Sequence, residues 1–214
     1  MPLTYPVVLF DLDGTLANSV DLIVDSYAYA FAQVSKRQIS QAEGRSWIGQ
    51  TLPMTFARED PANAAALEVA YREHNNAHFD RIVGYPGVIQ VVVDLVTAGA
   101  ALGVVTAKGR ASAEASLRQA GLSGVIEVLC ARDDTPVHKP DPAPLFAALA
   151  KLGGSVEEAA YVGDSVFDMQ AARAAGMTAI AVTWGAGRAD ELAALGPDAI
   201  CDDADALRAV LFAG

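Results

Sequence analysis

The sequence predicts an α/β protein, a doubly wound and mostly parallel sheet with a helical domain inserted near its start. Three observations carry this. Short apolar, β-branched runs recur at residues 7–10, 101–105, 125–129, 160–162 and 178–182, with a weaker one at 199–200. Helical patterns separate most of the later runs. The interval from about residue 17 to 84 shows helical patterns only. Continuous apolar strands alternating with helices are what a parallel sheet covered on both faces requires.

The first run, Val7-Val8-Leu9-Phe10, ends in Asp-Leu-Asp-Gly and reads as a buried strand entering a turn. Helical stretches at 20–33, 41–47, 52–57 and 62–79 then form a second domain, residues 17–84. Gly84, Pro86 and Gly87 mark the return to a core made of residues 1–16 and 85–214. Residues 88–107 carry one charge, Asp94, over a bilayer-spanning length. A central Asp costs about 2.5–3.5 kcal/mol on insertion, and Gly99 breaks the run, so a buried helix, a turn and a strand fit better than a membrane span. Three later helices, at 111–120, 142–152 and 165–175, stop at Gly121, Gly153 and Gly176. A glycine takes the left-handed conformation that closes a helix. Asp141 is placed to cap the middle one.

A hydrophobic share of 52% supplies a core, and a formal net charge of −11 repels nucleic acid and anionic membranes. An anionic substrate would need local cations to reverse that field. Cys130 and Cys201 are far apart and in no CxxC pattern, which reads as reduced structural thiols in a cytoplasmic protein. The N-terminal residues lack the basic segment of a signal peptide.

An open parallel sheet forms its site beyond the carboxyl ends of its strands. Asp11, Asp13, Gly14 and Thr15 follow the first strand, and Thr106, Ala107 and Lys108 follow the second. Lys139 lies in the loop 131–140 after the third, and Gly163, Asp164, Ser165 and Asp168 follow the fourth. Clustered carboxylates raise one another's pKa unless a cation neutralises them, and oxygen ligands suit Mg²⁺. A carboxylate also serves as a nucleophile toward phosphorus. Asp11 and Asp13, two apart across a turn, suit attack and proton donation. Lys139, Thr106 and backbone N–H groups suit the phosphate oxygens.

Four motifs in order resemble those of the haloacid dehalogenase superfamily of phosphohydrolases, over nearly the whole chain. They are Asp11-Leu12-Asp13-Gly14-Thr15, Thr106, Lys139 within His138-Lys139-Pro140-Asp141-Pro142, and Gly163-Asp164-Ser165 with Asp168. The resemblance implies a Rossmann-like core and a Mg²⁺-dependent phosphatase working through an aspartyl phosphate. It implies that Asp11 is the nucleophile and a metal ligand. Asp13 would be the acid/base, with its carbonyl on the metal, and Asp164 a further ligand. Asp168 would hold Lys139 or a metal-bound water, and Thr106 with the Ala107 N–H would bind phosphate. The inserted helices resemble an alpha-helical cap. Phosphoglycolate phosphatases are closest in pattern, so phosphoglycolate is the first substrate to test among small phosphorylated metabolites. Many relatives carry Thr-Asn-Lys where this chain has Thr106-Ala107-Lys108.

Arg45, between two helices of the insertion, is the candidate clamp for a substrate carboxylate. Lys108 reads as surface or site edge. His74 and His78 are i, i+4 on a helix but lack the Glu of a zinc motif, and Gly185-Ala186-Gly187 reads as a plain loop. Two alternatives remain open. One is a sugar-phosphate phosphomutase of the same chemistry; the other is a non-enzymatic phospho-receiver module. The oligomeric state is not readable.

Overall fold

The computed structural model describes residues 2–213. The chain opens with β1 (Val7–Phe10) and β2 (Ala17–Asn18), and then forms α1 (Val20–Val34), α2 (Gln41–Ser46), α3 (Leu52–Glu59) and α4 (Ala64–Ala77). It returns through β3 (Val83–Gly84), α5 (Pro86–Thr97), β4 (Ala101–Val105) and α6 (Arg110–Gln119). It ends with β5 (Val128–Cys130), α7 (Ala143–Leu152), β6 (Ala159–Gly163), α8 (Val166–Ala175), β7 (Thr178–Val182), α9 (Ala189–Ala194), β8 (Ala199–Cys201) and α10 (Ala204–Leu211).

Six strands form one sheet in the order β5-β4-β1-β6-β7-β8, and every pairing is parallel. The period-2 alternation of β1 sorts its side chains between two cores. Val8 and Phe10 join the face covered by α5, α6 and α10, which contributes Leu95, Leu117 and Leu207. Val7 and Leu9 join the face covered by α7, α8 and α9, with Leu149, Met169 and Leu192. Gly121, Gly153 and Gly176 all have positive φ at the ends of α6, α7 and α8. Asp141 Oδ1 accepts the N–H of Ala143 at 2.8 Å, ahead of α7.

The apolar stretch 88–107 divides into α5 and β4, and among the described residues no helix is long and apolar enough to cross a membrane. The third run is displaced from its expected place. Gly124, at φ +78, starts a turn in which the N–H groups of Val125 and Ile126 both bond the Leu122 carbonyl, so pairing begins only at Val128.

Helices α1–α4 pack around their own core. Tyr27, Phe31, Trp47, Phe56 and Tyr71 form a cluster with ring centroids from 4.9 to 6.1 Å apart. Offset and edge-on aromatic pairs of this kind add stability beyond area burial. The two crossings into and out of these helices pair with each other: Ala17 with Gly84 and Asn18 with Val83, antiparallel. Two-residue strands leave no periodicity to read in a sequence, so this ribbon was not expected.

Phe56→Ala should remove about 3–5 kcal/mol of stability from this cluster. Hydrogen exchange would show it as faster exchange of α1 and α4 amides than of β1 and β6 amides. Equal acceleration in both groups would mean that the insertion has no separate core.

Candidate active site

β4, β1 and β6 lie side by side, with Phe10 opposite both Val104 and Val162. Asp11, Thr106 and Asp164 therefore leave the same sheet edge. Asp11 stays in register, its N–H donating to the Val162 carbonyl at 2.9 Å. The chain then turns at Gly14, where φ is +84 and a Cβ would stand 2.3 Å from Asp164 Oδ2. Gly185 approaches from the other side, and a Cβ there would stand 2.2 Å from the same oxygen. The Gly185-Ala186-Gly187 segment, expected to be a plain loop, instead wraps Asp164. The Ala186 N–H donates to Oδ2 at 2.7 Å and the Gly187 N–H to the Asp164 carbonyl at 3.0 Å. Thr15 Oγ1 donates to Asp164 Oδ1 at 2.8 Å.

Asp11, Asp164 and Asp168 are all buried, and oxygens of the three lie within 4.8 Å of one another. One buried cation faces them: Lys139 Nζ is 2.6 Å from Asp168 Oδ1 and 2.9 Å from Asp11 Oδ1. Lys139 also donates to the hydroxyl of Tyr161 at 2.9 Å. Asp168 is saturated, because Lys139 and Tyr161 serve Oδ1 while the N–H and hydroxyl of Ser165 serve Oδ2. Asp11 Oδ1 is different. Its one close polar contact among the described residues is the 2.9 Å ion pair with Lys139.

These contacts set the ionisation. Burial raises the Asp11 pKa well above the carboxylate range. Lys139 opposes this, and the charges of Asp168 and Asp164 add to it. Burial, then Asp168, pushes Asp164 up to about 7, against the donors Ala186 and Thr15. Burial would lower Lys139, but Asp11 and Asp168 more than offset it and hold the ammonium above its ordinary value. Burial, with Asp168 and Asp11, raises Tyr161, so its hydroxyl keeps its proton. Three carboxylates face one ammonium, an excess of two negative charges in a dry site. With hard oxygen donors and an unserved Asp11 oxygen, the residues fit a divalent metal ion.

Asp13 leans the other way. Its Oδ1 accepts from Ser19 Oγ and from Lys108 Nζ, each at 2.7 Å. Lys108, expected at the surface or site edge, thus reaches into the site. Thr106 Oγ1 accepts the Lys108 N–H at 3.2 Å. A cavity of about 70 Å³ opens here, lined by Asp11, Asp13, Thr106, Ala107 and Lys108 from the sheet edge and by side chains of the insertion. The sequence reading missed Arg72 and Asn75 of α4 and Arg132 after β5, which also line it. A surface arginine carries no periodic signal. Tyr161 was legible in principle, since it is the one polar side chain in an otherwise apolar strand.

Arg45 does not stand where a carboxylate clamp was expected, and it is absent from the lining of this cavity. Its Nη2 pairs with Asp21 Oδ1 at 2.8 Å and its Nη1 donates to the Gly185 carbonyl at 3.3 Å, tying the insertion to the loop that wraps Asp164. It borders a second, larger cleft of about 580 Å³ that contains none of Asp11, Asp13 or Thr106. His74 on α4 and His78 just past its end lie with tilted rings 4.4 Å apart rather than at the sheet edge, with His74 stacked on Tyr29 and its Nδ1 3.1 Å from Ser26 Oγ.

Comparison with known proteins agrees with this geometry. The haloacid dehalogenase-like hydrolase family matches residues 8–182. The chain is 35% identical over 192 residues to the pyrophosphatase PpaX of Halalkalibacterium halodurans, covering 89% of each. It is 35% identical over 205 residues to that of Bacillus cereus, covering 95% of each. Among solved structures, a predicted phosphoglycolate phosphatase from Haemophilus somnus superimposes with a TM-score of 0.85 at 28% identity, over 95% of this chain and 97% of that one. A predicted phosphatase from Clostridium acetobutylicum does so with a TM-score of 0.84 at 25% identity, over 95% and 96%. The chain belongs to the haloacid dehalogenase-like hydrolase family, and it is a phosphatase.

Lys139→Met should destabilise the metal-free protein by about 3–5 kcal/mol, because it leaves buried carboxylates uncompensated. Urea unfolding measures it. The loss should shrink as the pH falls and the carboxylates protonate. A change below about 1 kcal/mol would show that Lys139 is not the cluster's counter-charge. Arg45→Ala should leave the ratio of kcat/KM values for carboxylated and uncarboxylated phosphates unchanged; a selective drop on carboxylated ones would restore the clamp.

Proposed function

We propose that this phosphatase is Mg²⁺-dependent and takes the phosphoryl group of a small phosphorylated metabolite onto Asp11. The observation that supports this most strongly is Asp11 itself, a buried carboxylate that lines the cavity and whose Oδ1 has Lys139 as its one close polar partner among the described residues.

A phosphate in the cavity meets Thr106, the Ala107 backbone and Lys108. An oxygen of Asp11 attacks phosphorus as the bond to the leaving oxygen breaks. Asp13, held by Ser19 and Lys108, gives its proton to that oxygen. Asp13 then takes a proton from water, the resulting hydroxide attacks the aspartyl phosphate, and the bond from phosphorus to Asp11 breaks to release inorganic phosphate. Lys139, positioned by Asp168 and Tyr161, balances charge at the nucleophile throughout. Asp11, Asp164 and the Asp13 carbonyl would hold Mg²⁺, which when bound supplies the positive charge the carboxylates need beside a phosphate.

We read residues 17–84 as a cap domain. Its side chains complete the cavity, which suits exclusion of water during turnover and argues against a phospho-receiver module. Phosphoglycolate and pyrophosphate both remain substrates to test, and the pyrophosphatase name of the PpaX relatives favours the second. The two free, buried cysteines suit a cytoplasmic location.

Asp11→Asn should keep the fold and lower kcat at least about 10³-fold. Asp13→Asn should cost about 10²–10⁴-fold. Mg²⁺-dependent phosphate release by Asp11→Asn at the normal rate would end the mechanism. Isomerised sugar phosphate without inorganic phosphate would make the protein a mutase instead.

A further inference from the structure

We propose that Arg72 and Arg132 form a subsite for a second anionic group on the substrate, beyond the phosphoryl group that is transferred. This rests on the phosphatase reading and asks what the leaving group carries. Both residues line the cavity that holds Asp11, Thr106 and Lys108. They come from opposite sides, Arg72 from α4 of the insertion and Arg132 from the turn after β5.

Arg132 is built into the phosphate-facing edge. Its N–H donates to the Lys108 carbonyl at 3.0 Å, and the next residue, Asp133, accepts the Arg110 N–H at 2.8 Å. These bonds join the loop after β4 to the loop after β5, so Arg132 keeps its place relative to Thr106-Ala107-Lys108. Gly109 leaves it room, since a Cβ there would stand 3.3 Å from Arg132 Nη2.

Each arginine is only partly used. Arg132 gives Nε and Nη2 to Asp133 Oδ1, at 3.0 and 2.8 Å. Arg72 gives Nε and Nη2 to Glu68 Oε1, at 3.0 and 2.5 Å. Arg132 Nη1 stands 3.8 Å from that same Glu68 oxygen, an ion pair beyond hydrogen-bonding range. Among the described residues, Nη1 of neither side chain makes a hydrogen bond. Charged lining residues comprise Asp11 and Asp13 against Arg72, Lys108 and Arg132. In a chain of net charge −11, these three cations are the local positive groups that an anionic substrate requires. Lys108 is engaged by Asp13; the two arginines are each paired through Nε and Nη2 and keep Nη1 for a further anion. Guanidinium forks suit a carboxylate or a phosphate. An anion held by both would also bridge the insertion to the core.

The test compares kcat/KM for inorganic pyrophosphate, phosphoglycolate and phenyl phosphate, whose leaving group carries no charge. The wild type should prefer at least one of the first two over phenyl phosphate by roughly tenfold or more. Preference for pyrophosphate identifies the second anion as phosphate, and preference for phosphoglycolate as carboxylate. Arg132→Gln and Arg72→Gln should each lower that preference ratio about tenfold or more, mainly through KM. In the wild type, methylenediphosphonate should inhibit phenyl phosphate hydrolysis at lower concentration than methylphosphonate, a comparison that needs no variant to fold. Equal inhibition by the two, or preference ratios unchanged in both variants, would overturn the subsite. Failure of the wild type to release phosphate from any of the three would instead defeat the phosphatase reading beneath it.

Discussion

Three buried carboxylates meet one buried ammonium, and the surrounding structure is arranged around that imbalance. Asp168 is quenched by four donors and in turn fixes Lys139. Asp164 is enclosed by Thr15, Ala186 and two glycines whose missing Cβ atoms leave the room it occupies. Of the three, Asp11 is the least served, with Lys139 as the one close polar partner of its Oδ1 among the described residues. Burial penalises each ionised form, and one lysine cannot offset three charges. The cluster must hold protons or a cation.

The parallel sheet makes this concentration possible. β1 lies between β4 and β6, so three segments distant in sequence end at one edge. The helical insertion leaves just past that edge through the β2–β3 ribbon and returns over it. Among its ties to the core, Arg45 donates to a backbone carbonyl in the loop around Asp164, Ser19 donates to Asp13, and Glu68 stands 3.8 Å from Arg132.

Much of this was legible in the residues, and the reasons are physical. Strands with both faces buried are continuous apolar runs, so five of the six core strands stood near their expected places, and helix ends were marked by glycines at positive φ. Asp11, Asp13, Thr106, Lys139, Asp164 and Asp168 could be gathered because strand ends in a parallel sheet converge. What failed was information that exists only in three dimensions. Arg45 had a plausible position between helices, but its direction was set by Asp21 and the Gly185 carbonyl. The loop 185–187 looked featureless because its role lies in backbone N–H groups and absent side chains. Arg72 and Arg132, about sixty residues apart, become neighbours only through the insertion's return over the sheet.

The central claim is that Asp11 and Asp164 lack positive charge and hold protons until a metal ion replaces them. Titration calorimetry of Mg²⁺ binding, repeated in buffers of different ionisation enthalpy, measures it directly. With Asp164 pushed up to about 7, Mg²⁺ should displace protons, most per ion below pH 7 and fewer as the pH rises through and beyond it. Binding without proton release at any pH, or no binding of Mg²⁺ at all, would contradict the account.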